Sequence, residues 1–344
     1  MKVRPLDRKL KILSAVVEKY IMTGEPVGSK SVSEDSEMSF SSATIRNEMA
    51  NLVECGYLLQ PHVSAGRIPS HLGYRLYLNK LMNEKPLVSE EKNLISGALS
   101  SAAMDPESLL ETAAQILADV TGLTSIVSTP INQNSRIKNI KFLQTGRRSG
   151  MLVLITTSGM IKNKLFRCDY NLNLDILKMF EKILEQKFCG KLLKEVENGN
   201  VDIIVGNSGE MALLLLPIID ILLETIREAR KVRIKIYGQK NLLLIPSVTN
   251  ETIVDIFNFL EDDVKVLDLI NCTECGINFI VGKENNYREL QNASIVSTRY
   301  NVGGRFGAMG IIGSTRMDYS TVASQLQYVS ALIGVFLERM LEGN

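Results

Sequence analysis

The sequence predicts a multidomain α+β protein, on three observations. Short helical patterns separated by turn residues fill residues 1–85. Strand-like runs lie among helices from Leu87 to Gly190, and they resume from Ile277 onward. A long apolar helical run, Glu210 to Lys231, stands between the two strand regions, which is the pattern an insertion leaves behind. A chain of 344 residues has room for two or three separate cores.

From Pro5 to Met22, Leu6, Leu10, Leu13, Val17 and Ile21 recur at helical spacing, with Lys9, Lys11, Glu18 and Lys19 on the other side. Pro5 suits a first helical turn. Val27 to Ser33 opens a second, short helix capped near Ser29, and a polar turn through Met38 and Ser39 follows. A third helix starts at Ser42, with Ser41 or Ser42 as hydroxyl N-cap and Gly56 as the left-handed residue beyond its end. Its Ile45, Met49, Leu52 and Val53 share one face, while Ser42, Arg46, Asn47 and Asn51 point elsewhere.

Two short helices joined by such a turn form a helix-turn-helix arrangement, in which the second helix can enter the major groove of DNA. An ordinary amphipathic surface helix would show the same periodicity. Tyr57 to Ser70 then reads as a two-stranded wing with a small-residue tip, bounded by Pro61 and Pro69. A surface loop fits those prolines equally well, but helix, turn, helix and wing in this order are more specific than any one part. Leu72 to Met82 is another amphipathic helix, and Asn83-Glu84-Lys85-Pro86 breaks the pattern and marks a domain boundary.

Leu87 to Ser101 holds a short helix. Asp105-Pro106-Glu107 opens a stronger one that Gly122 closes, with Asp105 as N-cap and Pro106 at the first helical position. Strand-like runs follow at Leu123–Thr129, Ile137–Thr145, Met151–Thr157 and Ile161–Cys168, the second and third joined by a hairpin at Gly146–Gly150. A helix runs from about Leu172 to Phe188. These elements predict an antiparallel sheet with helices on one side. The run from Glu210 to Lys231 has Pro217 inside it and apolar residues on more than one stripe, so it is buried on several sides, in a core or at a subunit interface. Of the two, a subunit interface is the favoured expectation. Strands return at Ile277–Val281, Ala293–Tyr300 and Ala308–Ile312, and Tyr319 to Leu341 forms a terminal helix.

Gly24-Glu25-Pro26-Val27-Gly28-Ser29-Lys30, Ser42 to Met49, Pro61 to Pro69 and Gly73-Tyr74-Arg75 together resemble the DNA-binding end of the HrcA family of bacterial heat-inducible transcription repressors. Gly310 to Tyr319 and Phe279 to Asn285 resemble further segments of that family, so the likeness extends from about Arg4 to Tyr319. Ser314 stands where the family has proline, and Val63 and Ser70 where it has threonine. The resemblance implies a winged helix-turn-helix over residues 1–85 and a GAF-like α+β domain in two parts, 86–200 and 271–344. It also implies an inserted dimerisation domain at 201–270. In function it implies a homodimeric repressor of chaperone genes that binds an inverted-repeat operator in double-stranded DNA, supported by the GroEL chaperonin. A ligand-gated regulator using the GAF-like domain as a small-molecule sensor is the alternative.

On that basis Arg46 and Asn47 are the expected base-edge contacts, Ser42 and Thr44 the phosphate contacts, and Lys30 and Arg67 the groups that position the duplex. His62, in the wing, is expected to make a polar DNA contact. Net charge is only +1, but residues 1–80 hold 11 basic against 8 acidic side chains while the remainder holds 28 against 30. That asymmetry favours a DNA-binding front end, and its small size favours a dimer that doubles the phosphate contacts.

The longest apolar run, Met211 to Ile219, is too short to span a bilayer, and the first residues lead into an amphipathic helix and not a signal peptide. A cytoplasmic protein is expected. The five scattered cysteines fit reduced thiols. Cys272 and Cys275 have C-x-x-C spacing, but both histidines (His62 and His71) lie in the N-terminal region, so packing is favoured over a metal site. No cofactor is expected. Gly304, Gly307, Gly310 and Gly313 match no phosphate-binding loop and read as a flexible connection between strands. No acid, base and nucleophile converge in the sequence, so an enzyme is not expected.

Overall fold

The computed structural model describes residues 5–35, 38–130, 134–157, 159–197, 211–245, 250–271 and 276–342, and has the expected mixture of helices and sheets. The chain divides into two compact units. One comprises Met1–Thr129, Ile234–Val302 and Gly307–Met340. The other is Pro130–Arg233 with Gly303–Phe306 and Leu341–Asn344. The first unit is thus interrupted in the chain at 130–233 and again at 303–306. Cys272 and Cys275 lie outside the described residues.

The first unit begins with three helices, α1 (Pro5–Thr23), α2 (Ser29–Ser33) and α3 (Ser42–Glu54). A two-stranded antiparallel sheet follows, β1 (Leu58–Leu59) with β2 (Ile68–Pro69), then α4 (His71–Leu76) continued by a π-turn over Tyr77–Leu81. Ile12, Leu13, Val16 and Val17 of α1 pack with Val32 of α2 and Ile45, Met49 and Leu52 of α3. These are the apolar stripes that the 3.6-residue period picks out.

Beyond α5 (Ser89–Ala102) and α6 (Pro106–Thr121), five strands make one sheet: β3 (Thr124–Ser128), β7 (Ile234–Tyr237), β8 (Ile277–Val281), β9 (Ala293–Val302) and β10 (Arg305–Ser314). Their order is β7-β3-β10-β9-β8, and the pairs β7–β3, β3–β10 and β9–β8 are antiparallel. Alternate residues serve two cores. Val127, Val296, Met309 and Ile311 join α5, α6 and the terminal helix. Ile126, Ile295, Ala308 and Ile312 join the helices Asn250–Leu260 and Asp263–Ile270. The strands expected in one sheet thus divide between two: β3 joins this five-stranded sheet, which is covered on both faces, so all five residues of β3 are buried, while the other three form a separate sheet.

The terminal helix (Tyr319–Glu342) is long and apolar enough by length and composition to cross a membrane, but half of that stretch is buried in this unit. Gly307, Gly310 and Gly313 do not form a flexible connection. They lie inside β10, where a Cβ would press on the Tyr300 ring, on Ile270, and on Leu123 and Met317 respectively. Close packing explains the three glycines, and the β9–β10 turn holds only Gly303 and Gly304, both at positive φ.

The second unit is a three-stranded antiparallel sheet, β4 (Ile137–Gln144), β5 (Ser149–Thr156) and β6 (Ile161–Arg167), in that order. It carries α7 (Leu174–Phe188), α8 (Leu193–Glu197) and α9 (Met211–Arg230). Ile140, Phe142, Leu152, Leu154 and Phe166 face Leu177, Phe180 and Leu184 of α7 and Ile218, Leu222 and Ile226 of α9. The Phe142 ring meets Phe166 edge-on, with centroids 5.8 Å apart. On α9, Ile218, Ile219, Leu222, Leu223 and Ile226 fill the unit's own core, while Leu216 is exposed. A 20-residue helix with so wide a stripe needs cover, and the sequence does not say from which chain.

Candidate nucleic-acid interface

The exposed surface of α3 is set by how its ends are fixed. Ser41 is the N-cap, its Oγ accepting from the Thr44 N–H at 3.2 Å. At the other end the Gly56 N–H bonds Val53 O and the Tyr57 N–H bonds Leu52 O, both at 2.9 Å, with Gly56 at φ 78°. This is a Schellman cap, so the helix stops where the sequence suggested. With Ile45, Met49 and Leu52 turned inward, Ala43, Arg46, Asn47, Ala50 and Glu54 form the exposed stripe. Small residues admit close approach, and a guanidinium and an amide supply donors suited to base edges. The unpaired N–H groups of the first turn add a partial positive charge that attracts phosphate. Glu54 is acidic, so the N-terminal half of α3 is the end suited to DNA.

Arg46 and Asn47 are exposed, as is Lys30 on α2. Ser42 and Thr44 are half-buried and already engaged. The Ser42 Oγ lies 3.2 Å from Ser29 Oγ, tying α3 to α2, and Thr44 Oγ1 lies 2.9 Å from Ser41 Oγ. His62 is exposed in the β1–β2 connection, which the Gln60 side chain closes by donating to Val63 O at 2.7 Å. Val63 at its tip is almost fully exposed. Arg67 is half-buried and donates to Ala65 O at 3.1 Å. Its backbone exchanges two hydrogen bonds with Val27 (2.9 and 2.8 Å), which seats the hairpin on the segment leading into α2 and Lys30. A Cβ on Gly66 would come within 2.6 Å of the Pro26 and Val27 backbone, so only glycine permits this seating.

Sequence reasoning missed Glu48. It lies on α3 but is 5% exposed, ion-paired with Arg8 of α1, whose guanidinium also stands 6.0 Å from the Phe40 ring centroid. The clue was available only as an acid placed on the apolar side of the helical wheel. Among the described residues no group of three or more His, Cys, Asp or Glu could hold a metal ion.

Comparison with known proteins decides the family. The family model described as HrcA protein C terminal domain matches residues 107–323. The heat-inducible transcription repressor HrcA of Acetivibrio thermocellus is 32% identical over 343 residues, covering 97% of each chain. The chain belongs to the HrcA family. The HrcA of Clostridium acetobutylicum is 34% identical, over 97% of this chain and 98% of its own. A solved structure described as a hypothetical protein, at 2.2 Å resolution, is similar in fold. It superposes with a TM-score of 0.65 at 25% identity, over 98% of this chain and 99% of that one.

Proposed function

We propose that this chain is a homodimeric, sequence-specific DNA-binding repressor of heat-shock chaperone genes. Its front end, through residue 85, acts as a winged helix-turn-helix, and its five-stranded sheet with flanking helices as a GAF-like domain. The observation that carries the proposal is the stripe of Ala43, Arg46, Asn47 and Ala50, turned to solvent on a helix capped at both ends. Family relatives named heat-inducible transcription repressor supply the regulatory context. In this reading Arg46 and Asn47 touch base edges. Lys30, His62 and Arg67 engage the sugar-phosphate backbone, with Ser42 and Thr44 beside it at the helix start. The role is one of binding without catalysis, in the cytoplasm, where the free thiols of Cys55, Cys168 and Cys189 remain reduced.

Pairing of two copies has its own physical support. The face of β4–β5–β6 away from its helices carries Leu143, Met151 and Leu165 in one row and Ile155 and Ile161 in another, with Val153 between them flanked by Lys141 and Asn163. Leu143, Ile161 and Leu165 are 52%, 61% and 68% exposed. An open apolar sheet face calls for a partner, and a second copy meets it isologously, giving the two-fold symmetry of an inverted-repeat operator. GroEL is proposed as a partner from the family resemblance alone, and co-purification from a lysate with purified chaperonin as competitor tests it.

Titration of labelled duplexes, one an inverted repeat selected from a random library and one scrambled, at about 50 and 200 mM salt, tests the main proposal. Selective binding with a steep salt slope is expected. Equal weak binding to both duplexes would refute it.

A further inference from the structure

Two sequence segments far apart in the chain meet around one carboxylate behind the proposed DNA-reading end, and a third packs on both. Glu284 follows β8 and its side chain is 17% exposed. Its Oε1 accepts from Arg75 Nε at 2.8 Å and lies 2.9 Å from His71 Nε2. Its Oε2 accepts from the second arm of the Arg75 fork and from the Val281 backbone N–H at 2.7 Å. The same Arg75 nitrogen also donates to Phe279 O at 2.9 Å. His71 and Arg75 both lie on α4, immediately after the hairpin, so one carboxylate ties the reading end to the edge strand of the five-stranded sheet. A planar fork on a carboxylate fixes orientation as well as distance.

Aromatic packing supports the same joint. The Tyr319 ring, at the start of the terminal helix, meets Tyr74 at 6.2 Å and Phe279 at 6.1 Å, both edge-on. The Tyr319 hydroxyl is held by Ser294 Oγ and Thr315 O. The segment Asn83–Pro86, a boundary in the sequence, is also clamped. Lys85 Nζ pairs with Asp318 at 2.8 Å, the Lys85 N–H donates to Ser320 Oγ at 2.9 Å, and Ser320 Oγ donates to Asn83 O. The chain leaving the reading end is therefore pinned on the same helix that carries Tyr319.

We propose that Glu284, through Arg75, is a positioning residue for operator recognition: it fixes α4, and with it α3, against the sheet so that a dimer accepts only one half-site spacing. This rests on the DNA-binding proposal above. A dimer reading two half-sites gains from linkage only when the geometry of its two ends matches their spacing. A loose joint would still let each end bind and would lose the selection for spacing.

The test uses full-length protein carrying Glu284→Gln, which keeps the shape and removes the charge. Arg75→Lys, which keeps the charge and loses the fork, is measured in parallel so that a folding defect in either leaves a second readout. Probes are the library-selected inverted repeat, the same repeat with its spacer lengthened by up to about five base pairs (half a helical turn), and a single half-site. The wild type is expected to lose roughly tenfold or more in affinity as the spacer grows, and the variants less than about threefold. Half-site affinity should stay within about twofold of wild type, with unchanged circular dichroism. Variants that reproduce the wild-type spacing profile would overturn the proposal, as would variants that lose half-site and full-site binding in parallel. A wild type that prefers neither repeat nor half-site over scrambled DNA would instead remove the DNA-binding reading itself.

Discussion

Arg8 and Glu48 set the terms at the residue scale. On the proposed DNA-facing stripe of α3 a carboxylate near the helix start would repel phosphate, and Glu48 is turned inward against a guanidinium from α1. Removing Arg8 leaves that charge buried and uncompensated. Because Arg8 is itself about a third exposed, Arg8→Ala is expected to cost about 2–3 kcal/mol, below the full penalty for a deeply buried pair. Calorimetry should show a lower melting temperature, and an unchanged melt would show that the pair carries little. Arg46→Ala should cost roughly 1–3 kcal/mol in operator affinity with relaxed sequence preference. Arg67, whose side chain and backbone shape the hairpin, should when changed to alanine weaken binding to all duplexes evenly. The inward set Ile45, Met49 and Leu52 was legible from spacing. Glu48 was not, because its partner lies 40 positions away and no local pattern announces it.

Titration belongs to the same scale. Burial alone would raise the Asp318 carboxyl, but hydrogen bonds from Lys85 and Thr321 hold it below its ordinary value. Tyr237 and Lys235 do the same for Glu111, and Lys164 for Glu228. A depressed carboxylate pKa stabilises the fold above the unfolded value, and the gain is lost as pH falls through the folded value. Stability should therefore hold down to about pH 4.5, then decline as the unfolded carboxyls begin to take up protons ahead of the folded ones. Melts in an acid series check this. Stability that rises as pH falls below 4 would contradict it.

At the scale of elements, local chemistry and tertiary contact divide the credit. Both ends of α3 were readable, Ser41 and Gly56 performing the expected caps. The hairpin's seating on Val27 and the double cover of the five-stranded sheet were not, since strand pairing across a hundred residues leaves no local trace. The glycines of β10 show the same limit: a turn residue and a residue that yields space to a ring look alike in sequence. Gly73 makes the case testable. A Cβ there would stand 2.1 Å from Tyr57 O, so Gly73→Ala must displace α4 from β1. A cost of about 1–3 kcal/mol is expected from such overpacking, read as a lower urea midpoint with the slope preserved. An unaltered midpoint would mean the close approach is easily relieved.

At the scale of the whole molecule, the division of the chain into two compact units leaves no sharp boundary in the sequence. Sequence pattern alone does not set the strands at 137–167 apart from β3, and only their mutual pairing reveals a unit of their own. The same pairing exposes an apolar sheet face that helix periodicity could not have indicated. Leu165→Asp places a charge in that face without touching the core behind it. Sedimentation should show the variant shifting from dimer to monomer, with inverted-repeat affinity falling toward that of a half-site. A variant still dimeric at micromolar concentration would move the interface elsewhere.

The central claim is that α3 presents Arg46 and Asn47 to base edges in the major groove of each half-site. Methylation interference at guanine N7, a major-groove atom, measures this directly on the selected inverted repeat. The account predicts blocked binding at symmetric guanines in both half-sites, and loss of one such position per half-site when Arg46 becomes alanine. Binding indifferent to N7 methylation, or an interference pattern that Arg46→Ala leaves unchanged, would contradict it.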